Sequence, residues 1–456
     1  MTIAAQPQPW TGHVTATLTL GLPLIGSHVA QMLVHLTDTI MVGWYGVDDL
    51  AAVVLATSIF FVFFIVGSGF AMAVMPMAAS AAAEGDTRQV RRVTRMGLWI
   101  SVLYCAAWMP VLWYFEAFML MIGQKPEIAA LAQDYMRIAE WGMVPAMLIM
   151  VLKSYLSALE RPSFVLWATL IGAVANIGFN YAFIFGNWGA PEMGVRGAAL
   201  ASILTQVLTF AVVAAFVALH PVTKPYRLFV RAWRADWPAL GEVFRLGWPI
   251  GTTMLAEVGL FSTAAIMMGW IGTRELATHG IAIQIASMSF MIYLGLAQAG
   301  TIRTGRALGR RDMDGIRRAA LTVVWLQLAT AAVAIALFLA VPERLIWLFL
   351  DADNPDSAAI VAYGVGLLVV AAAFQVVDGL QAVVLAVLRG LKDTRVPMIC
   401  AVVSYWVIGI PASWLLGFTL GFGGYGIWAG LVIGLALAAV TLIWRYLYLI
   451  GRMDLR

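Results

Sequence analysis

The sequence predicts an all-α membrane protein, with twelve transmembrane helices in two six-helix lobes related by a parallel internal repeat. Three observations lead there: the composition, a succession of long apolar runs and a self-match at a fixed offset. Of 456 residues, 62% are hydrophobic and only 11% charged, where a soluble domain carries about 25% charged residues. The mean hydropathy is +0.89. Apolar runs of roughly 20 residues recur along the chain, each long enough to cross ~30 Å of hydrocarbon. In lipid such runs must be helical, because every backbone polar group has to find its partner within the segment.

The runs place helices at about 14–46, 50–80, 94–116, 131–158, 163–186, 193–220, 239–271, 276–302, 315–341, 357–388, 396–420 and 424–450. Several are longer than a bilayer needs, so tilt is expected. The basic residues separate by side. One set of connections holds Arg88, Arg91, Arg92, Arg95, Arg161, Lys224, Arg227, Arg231, Arg234 and Arg245. It continues through Arg303, Arg306, Arg310, Arg311, Arg317, Arg318, Arg389, Lys392 and Arg395 to the tail. The other side holds Lys125, Arg137, Arg196, Arg274 and Arg344. Cytoplasmic loops are the basic ones, so both termini are expected in the cytoplasm and the chain in a bacterial inner membrane. An even number of spans agrees.

Residues 1–12 contain no Lys or Arg, so the basic n-region of a cleavable signal is not expected. The two cysteines, Cys105 and Cys400, lie in apolar surroundings and imply neither a disulfide framework nor a metal site. The net charge of +4 resides in short connections, so no nucleic-acid partner is expected. The expected surroundings are lipid and the expected state a monomer.

Shifted by 226 residues, the sequence matches itself without a gap. Leu20, Gly21 and Pro23 fall on Leu246, Gly247 and Pro249. Gly43, Trp44 and Gly46 fall on Gly269, Trp270 and Gly272, Leu50-Ala51 on Leu276-Ala277, and Arg91-Arg92 on Arg317-Arg318. Between Leu20 and Arg92, 22 of the 73 pairs are identical. A weaker, gapped echo links 157–163 to 389–395. The shift covers six spans, so both halves enter the membrane in the same direction and a substrate path is expected between them. The expected organisation is an amino-terminal lobe over 1–220, a linker over 221–242 and a carboxy-terminal lobe over 243–456.

The sharpest chemical signal is acidic. Most of the 24 Asp and Glu fall in connections or near span ends, but Asp38, Glu257 and Asp378 lie deep in apolar helices. A charge at the bilayer centre costs a few kcal/mol even on lenient scales, so these residues are expected to bind an ion or a substrate. No Lys or Arg is expected at comparable depth, which argues against simple buried ion pairs. On the first helix His28, Gln31, His35 and Asp38 fall within an arc of about 80° at 100° per residue, so one face looks into something wet. Asn176 and Asn180 share a face of the fifth helix, and Ser202, Thr205, Gln206 and Thr209 a face of the sixth. Their amides and hydroxyls suit a hydrogen-bond network around Asp38 or oxygen ligation of a hard cation.

In the second half Thr253 precedes Glu257 by one turn, and Gln375 and Gln381 flank Asp378. Gln31 aligns with Glu257 in the repeat, and Asp38 with Ala264, so the halves carry their acids at different places. Packing is the leading reading of His28, His35 and His279, and of Met-rich stretches such as 72–77. A thioether surface would still suit a promiscuous cavity. Gln31, His35, Ser202, Thr253, Phe374 and Gln375 are candidate cavity-lining residues. No phosphate-binding Gly-rich loop and no His/Cys/carboxylate cluster at ligand spacing is present, so the chain does not read as an enzyme and no cofactor is expected. The connections are too short for an ATP-binding domain, which leaves an ion gradient or a partner as the energy source.

These features together resemble the multidrug and toxic compound extrusion (MATE) family, its NorM-like branch in particular. The resemblance is carried by 20–46, with LGLP at its start and HLTDTIMVG at its end, by ANIGFN at 175–180, and by GVRGAALAS at 194–202. Residues 247–257, 375–378 and LRGLKDTRVP at 388–397 complete it. It implies two six-helix lobes forming a V-shaped pore and antiport of Na+ or H+ against cationic drugs. It further implies an amino-lobe ion site at Asp38, Asn176 and Asn180 and a carboxy-lobe site at Glu257 and Asp378. Sodium would be held by Glu257 and Asp378, or by Asp38 and Asn180. Some relatives carry Asp where Asn180 stands, which lowers the charge of this site here. Phe374, one turn before Asp378, offers a ring face without a hydroxyl.

The function expected is therefore ion-coupled export of organic cations across the inner membrane by alternating access. The alternative is a flippase of lipid-linked sugar precursors, which handles anionic pyrophosphate and should present bases at depth, where this sequence places acids.

Overall fold

The computed structural model describes residues 9–121, 123–351 and 357–454. Most of the 1–12 stretch, the side chains of Leu50 and Ala51 and the tail residue Arg456 lie outside the described residues. Among the described residues twelve helices are long and apolar enough to cross a membrane. They are α1 Trp10–Tyr45, α2 Val47–Ala83, α3 Thr87–Trp113, α4 Pro126–Ala158, α5 Pro162–Phe185 and α6 Val195–Leu219. The second series is α7 Trp237–Ile271, α8 Thr273–Gly309, α9 Met313–Ala340, α10 Ser357–Gly390, α11 Arg395–Thr419 and α12 Gly423–Asp454. They coincide with the twelve read from the sequence, ten of them starting one to seven residues earlier. No strand occurs among the described residues. Within α11, Val403–Gly409 and Leu415–Thr419 wind as π-helix on either side of Ile410–Trp414, a local unwinding often found at functional sites.

The repeat is visible in how the corners are made. At the end of α2 the amide of Asp86 donates to Ala81 O and that of Gly85 to Ala82 O, with Gly85 in the left-handed region. At the end of α8, Asp312 donates to Ala307 O and Arg311 to Leu308 O, with Arg311 left-handed. This is a Schellman closure that satisfies the last carbonyls of the helix. The same aspartate then caps the next helix: Asp86 Oδ1 accepts from Gln89 N at 2.9 Å, and Asp312 Oδ1 from Gly315 N at 2.8 Å. Each of these residues is related to its counterpart by the 226-residue shift. The weaker echo is also structural. Glu160 and Lys392 are both left-handed and close the α4–α5 and α10–α11 corners with the same pair of backbone bonds.

Contacts divide the chain into two units, Gly26–Gly251 and Met1–Ile25 with Thr252–Arg456. The divisions fall inside α1 and α7, again 226 residues apart, rather than in the 221–242 connection. The reason is glycine. In the first unit a Cβ on Gly69 of α2 would lie 2.3 Å from the nitrogen of Gly251 and 2.6 Å from Gly247 O, both on α7. In the second unit a Cβ on Gly295 of α8 would lie 2.7 Å from the nitrogen of Ile25 on α1. Small residues let membrane helices approach this closely. The first turns of each series thus pack on the second helix of the other series.

Inside the Gly26–Gly251 unit α4 is central, packed on α2, α3 and α6; inside the other unit α10 is central, packed on α8, α9 and α12. The core around α4 is rich in methionine, with Met119, Met136, Met143 and Met147 fully buried. Met267 and Met268 are likewise buried in the other core, so these thioethers serve packing.

The connection after α6 is held against α3. The guanidinium of Arg92 donates to both oxygens of Asp236, the NH2–Oδ1 distance being 3.0 Å. Arg95 donates to Leu228 O at 2.7 Å and to Val230 O, and Trp99 to Ala232 O at 2.7 Å. The Arg92 hydrogen bond and charge hold the Asp236 carboxyl below its ordinary range. A depressed folded pKa gives stability that is complete above the unfolded value near 4 and fades as pH falls through the folded one. Asp236→Asn should therefore lower thermal stability by a few tenths to about 1 kcal/mol, as for a partly exposed pair. The deficit should be constant from about pH 5 to 8 and shrink only below about pH 4, as read by melting in detergent across pH.

Candidate ion and ligand sites

Two polar clusters sit in otherwise apolar helices, one in each unit. In the Gly26–Gly251 unit, α1 supplies Asp38 and α5 supplies two asparagines spaced one turn apart, so that both amides face the same carboxylate. Asn176 Nδ2 donates to Asp38 Oδ1 at 3.0 Å and Asn180 Nδ2 at 2.6 Å, and Asn180 also donates to Asn176 Oδ1 at 3.2 Å. Both asparagines are fully buried. Donors aimed at one carboxylate oxygen favour its charged form. Asn180 Oδ1 is buried without a hydrogen-bond partner, so the cluster presents an amide oxygen and a second carboxylate oxygen, ligands suited to a hard cation. Beside it, Tyr135 of α4 and Ser202 of α6 share a hydrogen bond.

The rest of the α6 stripe behaves differently. Thr205 and Thr209 donate to the carbonyls of Ala201 and Thr205 at 2.8 Å, and Thr209 packs on Gly172 of α5. These two hydroxyls bond their own helix and join α5 to α6; the network expected around Asp38 does not include them. Gln31 is half-buried and His35 exposed on α1.

In the other unit Gln381 of α10 joins the two acids. Its Nε2 donates to Glu257 Oε1 of α7 at 2.8 Å, it also hydrogen-bonds Asp378, and its Oε1 accepts from the Tyr405 hydroxyl at 2.8 Å. Asp378 is 3% exposed, and its Oδ1 has no hydrogen-bond partner. Gln375 Oε1 accepts from Tyr293 of α8 at 2.9 Å. Thr253 is buried. Phe374 is buried edge-on between Phe261 and Trp428, with ring centroids 5.9 and 5.4 Å away. His279 accepts from Trp428 Nε1 at 3.0 Å and is a packing residue. Glu257 is not remote from positive charge: Arg389, in the last turn of α10, acts on it electrostatically. Among the described residues no group of three His, Cys, Asp or Glu could hold a metal ion.

Four residues emerge that the sequence reading passed over. Tyr293 and Tyr405 lie within spans, and each hydroxyl donates to a glutamine amide oxygen. Gln327 of α9 is fully buried, packed against Gly379, with neither amide atom hydrogen-bonded. Glu140 is a fourth buried acid, 1% exposed, with both carboxylate oxygens lacking hydrogen bonds. In a span read as 131–158 it is the tenth residue; α4 begins at Pro126, which puts Glu140 near the middle.

The comparisons with known proteins agree with this architecture. A sequence model of the MatE family matches residues 23–182 and 249–415, two segments that themselves start 226 residues apart. The chain is 49% identical over 454 residues to a protein of Rhizobium meliloti (strain 1021) named "Probable multidrug resistance protein NorM", covering 100% of this chain and 97% of the relative. A protein of the same name from Agrobacterium fabrum is 46% identical, covering 99% and 97%. A solved MOP superfamily transporter from Pyrococcus furiosus superposes with a TM-score of 0.87 at 22% identity, over 97% of each chain, and so shares the fold. The chain therefore belongs to the MATE family of membrane transporters, in its NorM-like branch.

Proposed function

We propose that the chain is a multidrug exporter working as an antiporter: Na+ or H+ enters a bacterial cell while cationic drugs and other organic cations leave by alternating access. The observation that carries the reading is the pairing of membrane acids with polar ligands. Asp38 is gripped by two asparagines, and Asp378, with a bare buried oxygen, shares Gln381 with Glu257. The relatives' names as multidrug resistance proteins support the class of cargo.

The mechanism follows from competition. A carboxylate buried among apolar side chains is stabilised by any cation that reaches it. An organic cation entering from the cytoplasm neutralises Asp38, Glu257 or Asp378; a proton or Na+ arriving from outside takes the same oxygens and releases the drug. The two ligands need only favour different arrangements of the lobes. Bases belong at depth for a lipid-pyrophosphate flippase, and the acids outnumber them here. Both termini lie in the cytoplasm on this reading, and the transporter acts as a monomer.

The test is uptake of a fluorescent organic cation by inside-out vesicles, with Na+ and pH gradients imposed one at a time. One gradient should drive accumulation, and Asp38→Asn should reduce it at least tenfold. Uptake indifferent to both gradients would refute ion coupling.

A further inference from the structure

The connection between α6 and α7 is built as a surface rather than as a slack tether. Arg95 and Trp99 of α3 bind four of its carbonyls, and Arg92 binds Asp236 at its end. Leu228 is 3% exposed and pins the segment inward. Arg227 and Arg231 hold left-handed backbone, φ 47° and 59°, a conformation arginine adopts only when its surroundings enforce it. What this frame presents outward alternates in chemistry. Lys224, Arg227, Arg231 and Arg234 are exposed; Phe229, Val230 and Trp233 stand between them and Trp237 follows, all four exposed as well. Among the described residues none of the four cations is in an ion pair.

A cleft of about 840 Å³ opens beside this surface, lined by Val217 and Leu219 from the last turn of α6 and by Lys224, Arg227, Phe229 and Val230 from the connection. Its position decides what can fill it. α6 ends at Leu219 and α7 begins at Trp237, so the cleft lies where hydrocarbon gives way to headgroups. Exposed tryptophans such as Trp233 and Trp237 are the aromatics that settle at that depth. Apolar walls with two free cations at the rim match one class of molecule present there, an amphiphile with an anionic head.

We infer that the 221–237 connection is a binding site for an anionic phospholipid, its phosphate held between Lys224 and Arg227 and its acyl chains laid against Val217, Leu219, Phe229 and Val230. Arg231 and Arg234 extend the same cationic face along the headgroup layer. Each basic residue at such a surface contributes roughly fivefold in affinity, so the pair at the cleft accounts for about 25-fold.

The test is native mass spectrometry of the full chain in detergent, titrated with dioleoylphosphatidylglycerol or dioleoylphosphatidylcholine. The anionic lipid should bind at least tenfold more tightly. Lys224→Ser with Arg227→Ser should bring the two lipids to parity, while Arg310→Ser with Arg311→Ser, an exposed basic pair at the α8–α9 corner, should leave the preference intact. Inorganic phosphate at 20 mM should not displace the lipid, and the wild-type preference should weaken between 50 and 500 mM NaCl. A preference that survives loss of Lys224 and Arg227, that falls equally in the Arg310/Arg311 control, or that free phosphate abolishes would overturn the assignment. A wild-type preference unchanged between 50 and 500 mM NaCl would overturn it as well, and that measurement needs no variant to fold.

Discussion

Asp378→Asn is expected to leave the protein folded and to lower ion-driven export of an organic cation by about 100-fold. The substitution keeps shape and removes the charge. In the folded state Asp378 is buried with Oδ1 bare, and an unpaired buried charge is the most expensive group a core can hold. The amide should therefore melt at the same temperature or higher. Transport depends on the very charge that folding disfavours, and losing a charge-assisted contact is worth about 1.5–3 kcal/mol, the scale of a 100-fold effect. The measurement pairs a melting curve in detergent with dye uptake in inside-out vesicles. Wild-type uptake in a stable Asp378→Asn protein would remove Asp378 from the mechanism; a misfolded one would make its role structural.

The second large effect is expected from a single methyl group. Gly69→Ala places its Cβ against Gly251 N and Gly247 O, and Gly295→Ala against Ile25 N. The clash is with backbone, so no side-chain rotation relieves it, and the helices must separate. A loss of about 3 kcal/mol or more is expected for each, seen as a lower melting temperature and a smaller folded fraction on size exclusion. Gly280→Ala on the same helix as Gly295 meets no atom within 4 Å. It should be neutral or slightly stabilising, since alanine favours the helix by about 1 kcal/mol. Equal melting of Gly280→Ala and Gly295→Ala would show that the close crossing does not matter.

The helices were legible because lipid leaves the backbone a single option, and hydropathy records it. The repeat was legible at its shared glycines, prolines and arginines, whereas the two jobs that Asp86 and Asp312 have in common show only in the hydrogen bonds of the corners. The Asp38 cluster could be read because charge and amide spacing each mark one face of one helix. What escaped depended on partners from other helices. Nothing along α9 says that Gln327 meets Gly379, and nothing along α11 says that the Tyr405 hydroxyl meets Gln381. The exchanged packing of α1 and α7 was illegible for another reason. The halves are so alike that 20–25 and 246–251 fit either scaffold by hydropathy, and only contact decides.

That exchange bears on how the chain is made. A ribosome that has released residues 1–251 has delivered every part of the Gly26–Gly251 unit, with the beginning of α7 already in place on α2. The opening turns of α1 precede all of that unit in the chain, yet their seat on α8, at Gly295, does not exist until about forty further residues have emerged. They must wait, exposed to lipid or to the insertion machinery, while all the residues between them and α8 are made. Two separately expressed fragments cut between α6 and α7 would each carry a segment belonging to the other's fold. Co-expressed, they would be interlocked by reciprocal donation; alone, each would lack a helix end that its own sequence does not encode.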